Sequence, residues 1–398
     1  MELYIQMGHN MQSLALDLLE QEGPKTLILS PINMSEAGMV TYSKKVKKAR
    51  GRLMIDPQLY YPRNNHKNLV KYDYYPNDGI TLFENGTCSR VIKSLIKLNE
   101  QVQTDALLLP SSTEKKIDDR WNYMQCQIID CARSLTQKPL FSTIALSSDA
   151  ITDIEQVQKV IGYAESWNVE GIYIVCEHPE KYYLVEKPLW VSNILELVAA
   201  MKRQSKKVVV GYASHQLLCL GLAKCDAIAS GNFLNLRWFK PDRFEMSEES
   251  DISRRAVWYY CPQALSEFKL AFLDIAKRME LLERMKPSPE AITPYCEMLF
   301  GTALPSSTAY SEKEAFRHYL LAFSKQCKMT VRSSYEETLS SHYMVLGTAE
   351  SLLEGLRSKG IKGQDRDFSE IIDVNRAAIS AFDINYGPVL KNEWDSIE

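Results

Sequence analysis

The chain has no run of 18 apolar residues and no Cys-x-x-Cys pair. Its first residues, Met1 to Leu19, lack a basic stretch leading into an apolar one, and Asp17 and Glu20 break the local hydrophobic pattern. A membrane-spanning helix, a secretory leader and a thiol-based metal or redox motif are therefore not expected. The nine cysteines are odd in number and scattered, which reads as buried reduced thiols in a cytoplasmic protein.

The catalogue of short chemical motifs is also empty. There is no His-Glu-x-x-His, EF-hand loop, P-loop, Gly-x-Gly-x-x-Gly or Gly-x-Ser-x-Gly. Zinc-protease, nucleotide-hydrolase, dinucleotide redox and α/β-hydrolase chemistry are disfavoured, and neither a metal nor a cofactor is expected. An excess of charge of one sign is missing too: 47 Lys and Arg stand against 50 Asp and Glu. Any contact with a polyanion must then come from a local patch.

What is present is an ordinary globular composition, 45% hydrophobic and 24% charged, in 398 residues. Short apolar runs recur, each followed by a loop and a helical pattern. They are 26–30 (TLILS), 52–56 (RLMID), 105–109 (DALLL), 140–146 (LFSTIAL), 171–176 (GIYIVC), 207–212 (KVVVGY), 226–230 (DAIAS) and 256–260 (AVWYY). Most are continuous rather than alternating, as parallel strands covered on both faces must be. The helical stretches 154–167 and 191–203 place apolar residues at helical spacing. Eight strand–helix repeats predict a (β/α)8 TIM-type barrel over 1–265, with a doubly wound open sheet as the alternative.

Beyond Cys261 the pattern changes. Helices are expected at 264–286, 294–300, 312–327, 335–359 and 368–381, so 266–398 reads as an all-helical C-terminal appendage. The Pro-Ser-Pro at 287–289 is its clearest break.

In a barrel, functional groups lie just after the strands. Asp56 ends an apolar run and is locked by Pro57, which suits a general base or an electrostatic stabiliser held on a rigid element. The same Asp-Pro pair also suits a simple turn. Glu177 occupies an equivalent place after GIYIVC and is the candidate second carboxylate, since paired carboxylates can divide acid and base roles. His178 and His215 are weaker candidates. Ser230, Gly231 and Asn232 form a turn whose backbone could approach a phosphate, with Arg237 available to pair with it. Gln58 and Tyr60 follow Asp56 directly.

The balanced charge conceals one basic segment. Between 41 and 72 lie Lys44, Lys45, Lys47, Lys48, Arg50, Arg52, Arg63, Lys67 and Lys71 against the single acid Asp56. Tyr60, Tyr61, Tyr72, Tyr74 and Tyr75 are interleaved with the later cations, within a chain of 21 tyrosines and 12 phenylalanines. Cations among aromatic rings can neutralise phosphates while rings stack on bases. The insertion at 57–86 is long for a barrel loop, and such loops are commonly functional. A solvated helix face beside a packed tyrosine loop is the structural alternative.

An Asp ending an early strand, with Leu222-Ala223-Lys224-Cys225-Asp226 and Arg237 near a later one, resembles the tRNA-guanine transglycosylase-like superfamily. The likeness covers roughly 24–265. It implies a (β/α)8 barrel that breaks base–sugar bonds, and it extends to DNA glycosylases of phage defence that remove modified bases. Asp56 falls on the superfamily's early-strand Asp-Ser-Gly-Gly, here Asp56-Pro57-Gln58-Leu59, so the glycines are missing. Asp226 falls on the first Asp of its Gly-x-Asp-x-Phe-Asp segment, the nucleophilic second Asp is replaced by Ala229, and the zinc motif is absent. Hydrolysis rather than base exchange is the implied reaction. The expectation is a glycosylase on a nucleobase, DNA favoured over RNA. Asp56 and Glu177 would be catalytic, and Gln58, Tyr60, Ser230, Gly231, Asn232 and Arg237 would line the base and phosphate site. Lys44, Lys45, Lys47, Lys48, Arg50, Arg63, Lys67 and Lys71 would contact the backbone. A barrel lyase or isomerase on a small phosphorylated or sugar substrate, and a non-catalytic nucleic-acid-binding component, are the rivals.

Overall fold

Eight parallel strands form a nearly closed barrel in the computed structural model, which describes residues 1–61, 66–76, 87–179, 183–245 and 256–397. The strands are β1 (Glu2–Gln6), β2 (Thr26–Leu29), β3 (Arg52–Ile55), β4 (Leu107–Leu108), β5 (Leu140–Leu146), β6 (Gly171–Cys176), β7 (Lys207–Val210) and β8 (Ala227–Ser230). Their order around the sheet is β3-β2-β1-β8-β7-β6-β5-β4. β1 pairs with β8, and the remaining seam is bridged by Asp105 N–H donating to Leu53 O at 2.8 Å.

The expected set of strands needs two corrections. The barrel begins with ELYIQ, which the search for continuous apolar runs passes over because Glu2, Tyr4 and Gln6 alternate with Leu3 and Ile5. AVWYY is not a barrel strand. Its end, β9 (Trp258–Cys261), pairs antiparallel with β10 (Ser266–Lys269). The tight turn at 262–265 ends on Leu265 in the left-handed region (φ 49°) and returns the chain on itself. Hence the helix expected over 264–286 is instead β10, the short helix α8 (Leu270–Arg278) and a 3-10 turn at Leu282–Met285.

Helices α1 (Gln12–Glu22), α2 (Glu36–Lys48), α3 (Thr87–Val102), α4 (Asp119–Leu135), α5 (Ser148–Thr152), α6 (Ile154–Ala164) and α7 (Pro188–Arg203) follow the strands in turn. Ser35 and Asp118 cap α2 and α4 by accepting from backbone N–H groups three residues on. The expected helical C-terminal region is present as α9 (Glu312–Lys328), α10 (Tyr335–Arg357) and α11 (Ile372–Glu393). The first of these completes the barrel ring: α9 packs on β1 and α1, with Lys25 Nζ donating to Ser324 Oγ at 2.6 Å and Arg317 Nε to Asp17 at 2.9 Å. The boundary expected at 265 falls in the turn between β9 and β10. α11 covers the outer side of α7, which explains why α7 is apolar nearly all round, from Trp190 to Met201. Among the described residues no helix is long and apolar enough to cross a membrane.

Candidate active site at the barrel mouth

Asp56 extends β3 by one residue, its N–H donating to Leu29 O at 3.1 Å, and its side chain enters the mouth with no exposed surface. Pro57 and then Gln58, in the left-handed region at φ 56°, turn the chain so that Gln58 N–H donates to Asp56 Oδ1 at 3.0 Å. The Tyr60 hydroxyl donates to the same oxygen at 2.9 Å, and the Tyr212 hydroxyl donates to Oδ2 at 2.9 Å. Tyr212, just past β7, also sits at positive φ, 52°. Such conformations cost of order 1 kcal/mol or more for non-glycine residues and persist where surrounding contacts enforce them. Two of them converge on this one carboxylate.

The carboxylate lies within a wider polar set. Gln58 Nε2 donates to Ser30 Oγ at 2.9 Å, and its Oε1 accepts from Ile32 N–H at 3.0 Å. The Tyr173 hydroxyl, from β6, donates to Gln6 Oε1 at 3.2 Å, and the Gln6 amide itself faces Asp56. Gly211 leaves room for that tyrosine, since a Cβ there would stand 2.2 Å from its hydroxyl. Burial is the largest influence on Asp56 and pushes its carboxyl up to about 6, against the opposing pull of the hydrogen bonds from Tyr60, Gln58 and Tyr212 and of the facing Gln6 amide. Burial, together with the neighbouring Asp56 charge, drives the phenols of Tyr60, Tyr173 and Tyr212 upward, so they remain protonated donors.

Aromatic rings close the mouth. Phe239 and Phe244 lie 4.8 Å from the Tyr60 ring, edge to face, and 5.7 Å from each other, stacked. Phe239 is anchored to the end of β6: its N–H donates to His178 Nδ1 at 3.3 Å and its carbonyl accepts from His178 N–H at 3.2 Å. Burial pushes the His178 imidazole down to about 3, so the ring is neutral, and the bond from Phe239 N–H assigns the unprotonated nitrogen to Nδ1.

Not every candidate joins this cluster. Glu177 is half-buried and its Oε2 accepts from Ser148 N–H at 3.1 Å; among the described residues no hydrogen bond links it to Asp56. His215 is buried among Tyr183, Tyr260, Tyr319, Phe323 and Phe368. Burial pushes it down to about 4, and among the described residues neither ring nitrogen has a hydrogen-bond partner.

Ser230, Gly231, Asn232 and Arg237 stand together after β8, but as a packed turn. A Cβ on Gly231 would lie 2.4 Å from the Leu236 side chain, so tight packing accounts for the glycine. Arg237 is buried and held by three hydrogen bonds: Nε and Nη2 donate to the carbonyls of Gly231 (3.0 Å) and Asn232 (2.7 Å), Nη1 to Glu267 (2.8 Å), and the guanidinium stacks on Tyr319. Glu267, on β10, also accepts from Tyr183 at 3.0 Å and Arg366 at 2.8 Å. Burial pushes the Glu267 carboxyl up, but Arg237 and Arg366 outweigh it and hold it down at about 2. An arginine buried and held by these three bonds and the Tyr319 ring is oriented by the fold itself, not left free for a phosphate, the role its position suggested.

The basic run is divided by the fold. Lys44, Lys45, Lys47, Lys48 and Arg50 lie at the end of α2, below the start of β3, whereas Lys67 and Lys71 lie in the loop above its end. Lys47 pairs with Asp105 at 2.7 Å; Lys44, Lys45, Lys48, Arg50, Lys67 and Lys71 are exposed. Arg63 lies outside the described residues, as does part of the 57–86 insertion. Tyr60, Tyr72, Tyr74 and Tyr75 are buried, with Tyr74 donating to Pro57 O at 3.0 Å. They are walls of the loop rather than an outward stacking surface. Asp226, aligned by resemblance with a catalytic segment, sits at the opposite end of the barrel, accepting from Lys202 and Val208 N–H.

Sequence reasoning missed Gln6, Tyr173 and Tyr212, which lie on or beside strands as isolated polar or aromatic residues. It also missed Glu114, whose carboxyl accepts from Ser112 at 2.6 Å and is pushed up by burial. Its position a few residues past an apolar run was the available signal. Among the described residues no group of three His, Cys, Asp or Glu side chains is placed to hold a metal.

No family model matches the chain, and no curated protein matches it. Among solved structures, the chain is similar to the 3-dehydroquinate dehydratase from Aquifex aeolicus VF5, at TM-score 0.35 and 8% identity, covering 61% of this chain and 95% of that one. It is also similar to the thiamine phosphate pyrophosphorylase from Pyrococcus furiosus, at TM-score 0.30 and 11% identity, covering 57% and 84%.

Proposed function

We propose that the barrel mouth hydrolyses an N-glycosidic bond to a nucleobase, DNA being favoured over RNA, with Asp56 as the reacting carboxylate. The observation that supports this is a fully buried carboxyl, poised near neutrality at the end of β3 and surrounded by phenols and amides. An ionised Asp56 can activate water or stabilise positive charge developing on the sugar. Gln6 Nε2, buried with no hydrogen-bond partner among the described residues, offers an amide donor of the kind that reads a base edge, and Tyr60, Phe239 and Phe244 offer flat apolar walls for a ring. Glu177 stands outside the Asp56 hydrogen-bond set, so the reading rests on one carboxylate.

The phosphorylated-substrate reading is the less favoured one, because Arg237 is buried and tied to Gly231, Asn232 and Glu267. The test compares wild type with Asp56→Asn on DNA and RNA carrying normal and modified bases, scoring abasic sites. Abasic product from wild type and none from Asp56→Asn is expected. Absence of product from every substrate would end the glycosylase reading.

A further inference from the structure

We infer that the outer flank formed by α2 and α3 is a phosphodiester track that joins the two separated halves of the basic segment. This rests on the proposed function for the mouth and extends it: the substrate is a polymer whose backbone continues past the reacting base.

Both helices start above the mouth ends of their strands, run down the barrel and pack side by side. On α3, Arg90, Lys93 and Lys97 are exposed at positions i, i+3 and i+7, a single stripe of one helix face. On α2, Lys44, Lys45 and Lys48 are exposed at the same kind of spacing, and exposed Arg50 follows. Arg90 lies near the mouth, where its Nη1 donates to Asp73 O at 3.3 Å, and Lys71 is two residues away on that same loop. From there Lys93 and Lys97 descend roughly 10 Å of helix toward the level of Lys48 and Arg50. The acids on these faces are few: Asp73 at the top and Glu100 at the bottom are exposed, Glu36 is at the start of α2, and Asp105 is held by Lys47. Among the described residues, Lys44, Lys45, Lys48, Arg50, Lys93 and Lys97 enter no ion pair. In a chain whose net charge is −3, such a local concentration of unpaired cations fits a repeating anion.

A polymer on this track releases counterions, so its affinity falls linearly with salt on logarithmic axes, by about 0.7–0.9 per phosphate contacted. The experiment measures fluorescence anisotropy of labelled single-stranded and duplex DNA oligonucleotides across a salt series. It uses wild type, Lys93→Glu/Lys97→Glu, and the charge-matched control Lys359→Glu/Lys362→Glu on exposed residues of the C-terminal region. The flank variant is expected to bind at least about tenfold more weakly at low salt and to lose roughly 1.4–1.8 from the slope. The control is expected to follow wild type. Circular dichroism verifies that both variants are folded.

An unchanged flank variant, or an equal loss in the control, overturns the track. Binding to phosphatidylserine vesicles but not to oligonucleotides would do so as well. Flank-dependent DNA binding without abasic product leaves the track standing and removes the glycosylase reading. Abasic product with flank-independent binding does the reverse.

Discussion

Tyr212 donates a 2.9 Å hydrogen bond to Asp56 Oδ2 across the barrel, from just past β7 to the end of β3. In an eight-stranded ring those strands are diametrically opposed, so the bond places the carboxylate near the barrel axis. Tyr60 grips the other oxygen from the carboxylate's own loop. A charge held this way is desolvated yet directionally solvated by fixed dipoles, the condition under which a carboxylate can act with little reorganisation.

Asp56 should leave a signature in the pH dependence of stability. Its carboxyl is about 6 in the folded protein against 3.8 when unperturbed, so the folded state holds the proton over a range where the unfolded state has lost it. The associated stability is fully present below pH 4 and is lost as the pH rises through 6, an effect of roughly 3 kcal/mol. Urea midpoints from pH 4 to 7.5 should fall for wild type, and Asp56→Asn should flatten that fall. An equal slope in both proteins would assign the dependence elsewhere.

Tyr212→Phe removes one donor to the ionised carboxylate. The loss should cost about 1.5–3 kcal/mol of folding stability at pH 7.5, the range for a hydrogen bond to a charged group. It should also raise the Asp56 carboxyl above its present value of about 6, because that bond favours the ionised form. If the proposed hydrolysis holds and Asp56 acts ionised, its rate rises with pH through about 6 in wild type, and the limb moves upward in the variant. An unmoved limb would separate Asp56 from that titration.

Only the Asp56, Gln58 and Tyr60 arm of this cluster was legible in the chain, for a physical reason. An acid that ends an apolar strand and precedes proline is fixed by local geometry, so Asp56 could be read from its neighbours. Its neighbours from other strands could not, because Gln6 and Tyr212, with Tyr173 behind Gln6, meet it through barrel closure, which leaves no local trace. Most strands were readable as continuous apolar runs, while β1 was masked by alternation and β9 imitated a barrel strand until its antiparallel partner was seen. Arg237 was located correctly but its role was not readable, because Glu267 and Arg366 come from 30 and 129 residues further along.

That Glu267 network ties β10 and the segment carrying Arg366 to the turn after β8, so it should be central to folding. Glu267→Gln removes a buried charge between two cations and should cost about 3–5 kcal/mol. The double variant Glu267→Gln/Arg366→Gln should cost less than the two single losses combined, since it no longer leaves Arg366 unpaired. Chemical denaturation of the three variants measures this; strict additivity would mean that the ions act independently.

Phe244 is the ring best placed to control access to Asp56. It covers Tyr60 from a 3-10 turn at Pro241–Phe244, whereas Phe239 beside it is fastened to His178 by one bond to the ring Nδ1 and one from the backbone N–H. Phe244→Ala should therefore open the mouth before it disturbs the barrel, at a stability cost of about 3 kcal/mol. Access can be read without any substrate, by coupling carboxyl groups to an amine with a water-soluble carbodiimide at pH 5.5 and mapping labelled peptides by mass. In wild type Asp56 should be spared while exposed Asp149 reacts; in the variant Asp56 labelling should rise at least about tenfold with Asp149 unchanged. Equal protection of Asp56 in both proteins would show that Phe244 does not close the site, and would shift that role to the anchored Phe239.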